Sequence, residues 1–274
     1  VTGTVFLSAF TTKMAIYALA RGYPGTELLV WIGVTMTAFP IFFAVIENDL
    51  RRVLAFSLIN QVGFMVVGIG IGSQLAMNGA ISHAFNDVLF KGLLLMSMGA
   101  VLHQTGKING SELGGLYKTM PITTGLCIVG AASISAFPLF SGFVSKSMVM
   151  VAAAEEGYWV VWLLLLFASA GVFHHAGIKI PYFAFFAHDS GIRTREPPLN
   201  MLLAMGLSAL LWRRSELVRR SSISKGISCM LWSSSESRSK HGSPLISEMT
   251  LSKGSLKPSV LAIFAVLSCA ARIS

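Results

Sequence analysis

Five ionisable side chains interrupt long apolar stretches of the sequence: Lys13, His83, Asp87, Lys91 and Lys146. Placing such groups among apolar residues costs at least about 2.5–3.5 kcal/mol each on membrane-insertion scales, so their presence indicates a function. Desolvation allows a buried lysine to release its proton near neutral pH, and histidine titrates closest to neutrality. The chemistry that these residue types predict is reversible proton transfer.

Three of these side chains share one helical face. His83, Asp87 and Lys91 are spaced i, i+4 and i+8, which places them on one stripe with about 6 Å between steps, and Asn86 lies beside it. Bound water would bridge the longer gaps, so we interpret the stripe as a proton wire. The alternative is a static Asp87–Lys91 ion pair that joins two helices. Buried pairs are weak stabilising devices, and this pair would leave His83 unexplained.

Two further lysines lie on other apolar stretches. Lys13 is near the middle of the first stretch and is interpreted as a buried proton carrier. Lys146 follows Pro138 by eight residues, where a broken helix would place it beside a hydrated cavity. For both lysines the alternative is a side chain that snorkels towards the membrane surface.

His174 and His175 are possible additions to the wire. Adjacent residues on a helix face different directions, so the pair cannot form a two-histidine metal face. Two interpretations stay open: one ring joins the wire, or one ring caps a backbone group. The sequence also has no phosphate-binding glycine pattern, haem ligand pair, flavin motif or iron–sulfur cysteine set, so we expect no catalytic site, metal or cofactor.

The composition points to a lipid bilayer as the surroundings. Hydrophobic residues make up 54% of the chain and charged residues 12%, with a mean hydropathy of +0.69. Soluble domains carry roughly 25% charged residues, so a soluble protein is excluded. The net charge of +9 comes mostly from residues 213–274 and lacks the aromatic platforms of a nucleic-acid-binding face, so no nucleic-acid partner is expected.

Apolar runs predict about seven membrane segments in an all-α, polytopic transmembrane bundle. A helix needs about 20 apolar residues to cross the hydrocarbon core, and helices satisfy their own backbone hydrogen bonds. The alternation typical of a membrane barrel is absent. The predicted segments are Thr4–Ala20, Leu28–Ile46, Val53–Gly72, Ala76–Leu102, Pro121–Ala154, Trp159–Ala187 and Pro198–Trp212.

The loops predict an orientation. Loops after the first, third and fifth segments hold only one basic residue, Arg21, whereas loops after the second, fourth and sixth hold six. The positive-inside rule places the second set in the cytoplasm of a bacterial inner membrane. The six residues are Arg51, Arg52, Lys107, Lys118, Arg193 and Arg195.

The fifth segment, Pro121–Ala154, is too long for one membrane helix. At 1.5 Å per residue it would measure about 50 Å. Pro138 removes a backbone donor near its middle, and Gly142 follows shortly afterwards, so these residues predict two half-helices with an irregular junction. Such junctions survive at membrane depth only inside protein or beside a water-filled cavity, and they often mark ion sites.

The C-terminal part has a different character. Residues 213–274 contain 17 serines, 10 Lys/Arg and one short apolar run, Val260–Val266. We expect a transmembrane domain over residues 1–212, followed by a Ser-rich basic tail that is disordered or the product of a shifted reading frame.

Several motifs together resemble one membrane-protein family. The turn Ile46–Ser57, its continuation to Gly63, His83 followed by Lys91, and the stretch Phe137–Lys146 are similar to the antiporter-like subunits shared by respiratory complex I and multi-subunit cation/proton antiporters. The segments Phe173–Phe186 and Arg193–Met205 most resemble the D-type subunit of the antiporters.

The resemblance implies a specific architecture and partners. Family members have about fourteen helices with two inverted five-helix repeats; this chain would begin near the eighth helix and keep the second repeat. It would assemble with other membrane subunits and move protons, with Na⁺ or K⁺ as the exchanged cation. Lys13 would link two half-channels, and Lys146 would be the translocating lysine of the broken helix. The alternatives are a proton-pumping subunit of an NADH:quinone oxidoreductase or hydrogenase-linked complex, and a non-conducting scaffold or inactive fragment.

Overall fold

The computed structural model describes residues 2–138 and 140–211, and within them the chain is an all-α bundle without strands. The predicted fold class is therefore confirmed for this part of the chain. The tail prediction, residues 213–274, lies outside the described residues. The helices are α1 (Thr2–Gly22), α2 (Glu27–Ile46), α3 (Leu50–Ile71), α4 (Gln74–Thr105), α5 (Pro121–Ile134), α6 (Ser141–Glu155), α7 (Trp159–Phe186) and α8 (Leu199–Leu211).

Five of these helices, α1, α2, α3, α4 and α7, are long and apolar enough to cross a membrane. Helix α4 is central: its most apolar window is 83% buried, compared with 22% for α1. Large apolar side chains such as Leu28, Phe39 and Leu163 are exposed on the outside, as a lipid-facing surface requires. The predicted membrane character therefore agrees with the architecture.

Helix α3 begins three residues before the predicted start at Val53. The side chain of Asp49 accepts hydrogen bonds from the backbone N–H groups of Arg51 (2.8 Å) and Arg52 (3.2 Å). These bonds satisfy donors that a helix otherwise leaves free in its first turn. Asp49 is thus the N-terminal cap of α3.

The predicted break is present, but Gly142 lies just outside it. Helix α5 ends at Ile134 and α6 begins at Ser141, with Pro138 in the junction. Ala136 adopts a left-handed conformation with φ of 56°, which is unusual for a residue with a side chain. Gly142 lies in the first turn of α6, where an added Cβ would collide with the Ser133 carbonyl. Its role is to let the two half-helices approach closely.

Helices α2 and α3 pack through small residues. A Cβ on Gly33 would lie 2.7 Å from the backbone nitrogen of Val67, and one on Gly70 would lie 2.6 Å from that of Val30. Neither distance is compatible with a side chain. The glycines therefore let two apolar helices touch along their backbones, as is typical of packing in lipid.

Loops meet at the two ends of the bundle in the predicted alternation. The loop before α3 bonds to the loop after α4, through Leu50 N–H to the Ile108 carbonyl (3.3 Å). Lys118, in the same α4–α5 loop, pairs with Asp189 in the α7–α8 loop at 3.8 Å. At the opposite end, Gly25 N–H bonds to the Ile69 carbonyl at 3.0 Å. The three loops with most of the basic residues therefore share one end.

Candidate proton-transfer site

Lys13 of α1 forms an ion pair with Asp87 of α4 inside the bundle. The lysine side chain is 13% exposed and the carboxylate is fully buried, so Lys13 points inwards and does not snorkel. Its Nζ also donates to the Ser8 carbonyl at 3.0 Å, which lies in the π-helical segment Leu7–Thr11 of α1. Widened turns of this kind release backbone carbonyls from the regular helical pattern, and they frequently occur at functional sites.

The static Asp87–Lys91 pair considered above is not what the structure contains. Lys91 is fully buried and donates instead to Ser57 Oγ at 2.9 Å and to the Leu54 carbonyl at 3.5 Å on α3. The other carboxylate oxygen of Asp87 has no hydrogen-bond partner among the described residues. Asp87 and Lys91 share one stripe of α4 but contact different neighbouring helices, α1 and α3 respectively.

Lys91 borders a cavity of about 190 Å³ between α1, α3 and α4. Its walls include the hydroxyl-bearing residues Ser8, Thr11 and Thr12, and Arg51 lies at its edge. The cavity is large enough for water, but its exposed lining is almost entirely apolar. Lys91 and Arg51 both border the cavity, so it extends from Lys91 towards the end of the bundle that carries the basic loops.

His83 is fully buried and bonded through both ring nitrogens. Nε2 lies 2.9 Å from Gln61 Oε1 on α3, and Nδ1 lies 2.9 Å from Ser145 Oγ on α6. Asn86, the neighbour of the stripe, donates to the Ser141 carbonyl at 3.1 Å. The stripe is thus tied to the broken helix by side-chain hydrogen bonds.

Lys146 is 2% exposed and points back towards the break. Its Nζ donates to the Ile134 carbonyl at 3.0 Å and lies 5.2 Å from the ring centre of Phe64. Ile134 is the last residue of α5, so the ammonium sits at the negative end of a helix dipole. Lys146 and Ser135 also border a cavity of about 460 Å³ between α6 and α7. The lysine does not snorkel outwards.

The two adjacent histidines differ sharply. His175 is fully buried, and neither ring nitrogen has a hydrogen-bond partner among the described residues, whereas His174 is exposed. Both lie in the π-helical segment Phe173–Lys179 of α7, which packs against α2, α3 and α5. His175 lies within electrostatic range of the ammonium groups of Lys91 and Lys146. The Gly171 backbone also acts on the His175 ring, so a place in the relay and a contact with the backbone both stay open for this residue.

Sequence analysis missed three polar partners at this site: Ser57, Gln61 and Ser145. Each is an uncharged polar residue on an apolar helix. Such a residue indicates a buried site less strongly than a charged residue does, because it costs less to bury. In the part of the chain described here, no cluster of three His, Cys, Asp or Glu side chains could hold a metal.

A family model described as "NADH:quinone oxidoreductase/Mrp antiporter, TM" matches residues 1–172. The chain belongs to this family. The D-type subunit of the Na⁺/H⁺ antiporter of Alkalihalophilus pseudofirmus is 35% identical over 182 residues, covering 60% of the chain and 37% of that protein. The NADH-quinone oxidoreductase subunit N of Desulforudis audaxviator is 33% identical over 175 residues, covering 60% and 35%.

The fold is also shared with a solved structure. A chain of the Mrp complex from Dietzia sp. DQ12-45-1b superposes with a TM-score of 0.71 at 21% identity, covering 79% of this chain and 50% of that one. The protein is therefore an integral, multi-pass membrane protein of this family. It spans about a third of the length of the two curated relatives.

Proposed function

We propose that this chain is the ion-translocating part of a multi-subunit Na⁺/proton antiporter in the bacterial inner membrane. The observation that carries the proposal is the row of buried titratable groups Lys13, Asp87, His83, Lys91 and Lys146 along one central helix and its neighbours. A scaffold would have little reason to bury several ionisable groups at this energetic cost.

The relay runs between two cavities. Lys146 exchanges a proton with water near the α5–α6 break, where the Ile134 carbonyl orients its ammonium. Lys91 exchanges with water in the cavity towards Arg51. His83 and Asp87 lie between or beside these lysines, and water bridges the remaining gaps. Lys13 is paired with Asp87, so it joins α1 to the relay on α4.

A second candidate has support of its own. The 33% identity to a subunit of an NADH-quinone oxidoreductase favours a proton-pumping role in a complex I-like assembly. The relay chemistry is the same in both cases, but the driving reaction differs. In that assembly partner subunits would supply the redox centres, and no cation would be exchanged.

The test replaces Lys146 in the complete protein assembled with its partners. Everted membrane vesicles are given a respiratory substrate, a pH-sensitive dye follows the ΔpH, and Na⁺ or K⁺ is then added. We expect Lys146→Ala to abolish the cation-driven collapse of ΔpH, because Lys146 is the titratable side chain that contacts the end of α5 at the break. Lys107→Ala, at an exposed loop lysine, is the matched control and should leave the collapse unchanged.

Assembly is checked by co-purification of the partner subunits. Normal antiport by a fully assembled Lys146→Ala protein would reject the proposed role. The complex I-like candidate would be favoured if added Na⁺ or K⁺ does not collapse the ΔpH in the parent protein and Lys146→Ala loses substrate-driven formation of the ΔpH.

A further inference from the structure

The hydrogen bonds around His83 have a fixed direction, and a backbone group sets it. Asn60 contacts the Thr37 carbonyl, which can only accept, so the amide nitrogen of Asn60 must face it. The oxygen of Asn60 then faces Gln61 and accepts from Gln61 Nε2 at 3.1 Å. Gln61 therefore presents its oxygen to His83 at 2.9 Å. Flipping both amides would bring two acceptors together at Thr37.

An acceptor at Nε2 determines the form of the neutral ring. Because Gln61 Oε1 cannot donate, His83 Nε2 must carry a hydrogen. In the neutral imidazole Nδ1 is then the unprotonated nitrogen, and it faces Ser145 Oγ at 2.9 Å. The amide chain from Gln61 to Thr37 offers no titratable group. Protons therefore have one productive nitrogen through which to enter or leave, and that nitrogen is Nδ1.

Ser145 has hydrogen-bond partners for both charge states of His83. When the ring is neutral, the hydroxyl donates to Nδ1. When the ring is an imidazolium, Nδ1 donates to Oγ, and the hydroxyl turns to the carbonyl of Ser141 (3.3 Å) or Gly142 (3.4 Å). These carbonyls belong to the first turn of α6. No buried donor loses its partner in either state, so the site can change charge without leaving an unsatisfied group.

We propose that Gln61 fixes the tautomer of His83, and that Ser145 is the hydroxyl through which His83 exchanges its proton at Nδ1. His83 is then a proton store beside the path, loaded and unloaded from the α6 side, and not a link through which protons pass. This rests on the proposed relay. Water carrying a proton released by Lys146 protonates Ser145 Oγ while the Oγ–H proton moves to Nδ1. His83 gains one proton, the donor loses one, and the serine is regenerated.

The surroundings make the charge of His83 sensitive to its partners. The charged groups that act on the ring come from α1, α4 and α6: Lys146, Asp87, Lys13 and Lys91. The rings of Phe64 and Phe90 lie at 6.0 and 6.1 Å. Three of these groups are lysines and one is a carboxylate. A new carboxylate at Gln61 would therefore change the balance strongly, because like and opposite charges at this range shift titration by about 1–3 pH units.

Two substitutions in the complete, assembled protein test the proposal. Gln61→Glu places a carboxylate on Nε2, stabilises the imidazolium, and should move the acidic limb of the rate–pH profile to higher pH by about one unit or more. Ser145→Ala removes the exchanging hydroxyl and should slow cation-driven ΔpH collapse about tenfold or more, while Ser145→Thr restores it. The matched controls are Gln74→Glu, at an exposed glutamine, and Ser208→Ala, at a buried serine whose hydroxyl donates to the Ala204 carbonyl within α8.

Each outcome decides something. An unchanged rate in Ser145→Ala, or an acidic limb that stays in place or moves down in Gln61→Glu, overturns this proposal. If Lys146→Ala is inactive in the same series, the relay stands and only the role of Ser145 and Gln61 fails. If Lys146→Ala is active as well, the proposed function also fails.

A measurement on the parent protein avoids any failure of a variant to assemble. In ¹⁵N-histidine spectra at neutral pH, the His83 signal should show a protonated Nε2 and an unprotonated Nδ1. The signal is assigned by its disappearance in His83→Gln. The opposite tautomer would overturn the proposal.

Discussion

Breaking the Lys13–Asp87 pair gives the sharpest test of whether these charges stabilise the fold, transfer protons, or do both. The pair joins α1 to α4, and the carboxylate is fully buried. Asp87→Asn keeps the shape of the side chain but leaves Lys13 without its counter-charge. Lys13→Met leaves Asp87 without its counter-charge. The double variant Lys13→Met with Asp87→Leu replaces both members of the pair by apolar side chains.

Two estimates bound the size of the effect. Unit charges 4 Å apart attract by about 4 kcal/mol at an effective dielectric constant of 20, and this pair is in direct contact. The loss is also limited, because an unpaired lysine can give up its proton; for an ordinary lysine at pH 7.4 this costs about 4 kcal/mol. Each single variant should therefore lose about 3–4 kcal/mol of unfolding free energy, within the range found when buried pairs lose one partner.

The double variant separates structure from function. Apolar replacement of a buried pair is often neutral for stability, so the double variant should recover most of the stability that each single variant loses. Unfolding is followed by the loss of helical ellipticity in mixed detergent micelles, and transport is followed in vesicles. A double variant that is no more stable than the single variants would refute the pair. Restored stability together with restored transport would refute a role in proton transfer.

Two further predictions concern groups on α7 and in the loop after it. His175→Gln should lower the rate of cation-driven ΔpH collapse about tenfold or more, whereas His174→Gln should leave the rate unchanged. The reason is that His175 is buried within electrostatic range of Lys91 and Lys146, whereas His174 is exposed. Equal effects of the two substitutions in the same vesicles would contradict this. Hydrogen bonds from Arg193 and from Gly191 N–H hold the pKa of Asp189 below its ordinary value, so the loop contact should persist as the pH falls from 7 to 4. In Arg193→Ala the pKa of Asp189 returns towards about 3.9, so the loop contact, which needs the ionised carboxylate, weakens as the pH falls towards that value. Hydrogen exchange of residues 188–193, corrected for intrinsic rates, should then show protection at pH 7 that declines by pH 4. Constant protection in this variant would contradict the prediction.

Local signals in the sequence predicted the helices and the break well. Proline lacks a backbone donor whatever its neighbours are, so Pro138 marked the junction between α5 and α6. Apolar length likewise located the long helices to within a few residues. The start of α3 was placed late because the cap at Asp49 uses a charged side chain, and charge had been interpreted as the end of the membrane segment.

The partners of the site residues were not predictable in the same way. Lys13 and Asp87 are 74 positions apart, and only the packing of α1 on α4 brings them together. Spacing along α4 placed Asp87 and Lys91 on one stripe, but it could not show that Lys91 reaches Ser57 on α3. Helical periodicity reports which residues share a face, and tertiary packing decides what each of them touches.

The charge inventory of the buried site favours a relay over a scaffold. Among the described residues the site contains three buried or mostly buried lysines, Lys13, Lys91 and Lys146. It contains one buried carboxylate, Asp87, so the positive groups outnumber the negative ones. Only Lys13 has that carboxylate as a direct partner; Lys91 and Lys146 are held by a hydroxyl and by backbone carbonyls. Dipoles of this kind orient an ammonium without holding it permanently charged. A network built for stability would balance its charges, whereas one with uncompensated lysines can change the number of protons it holds.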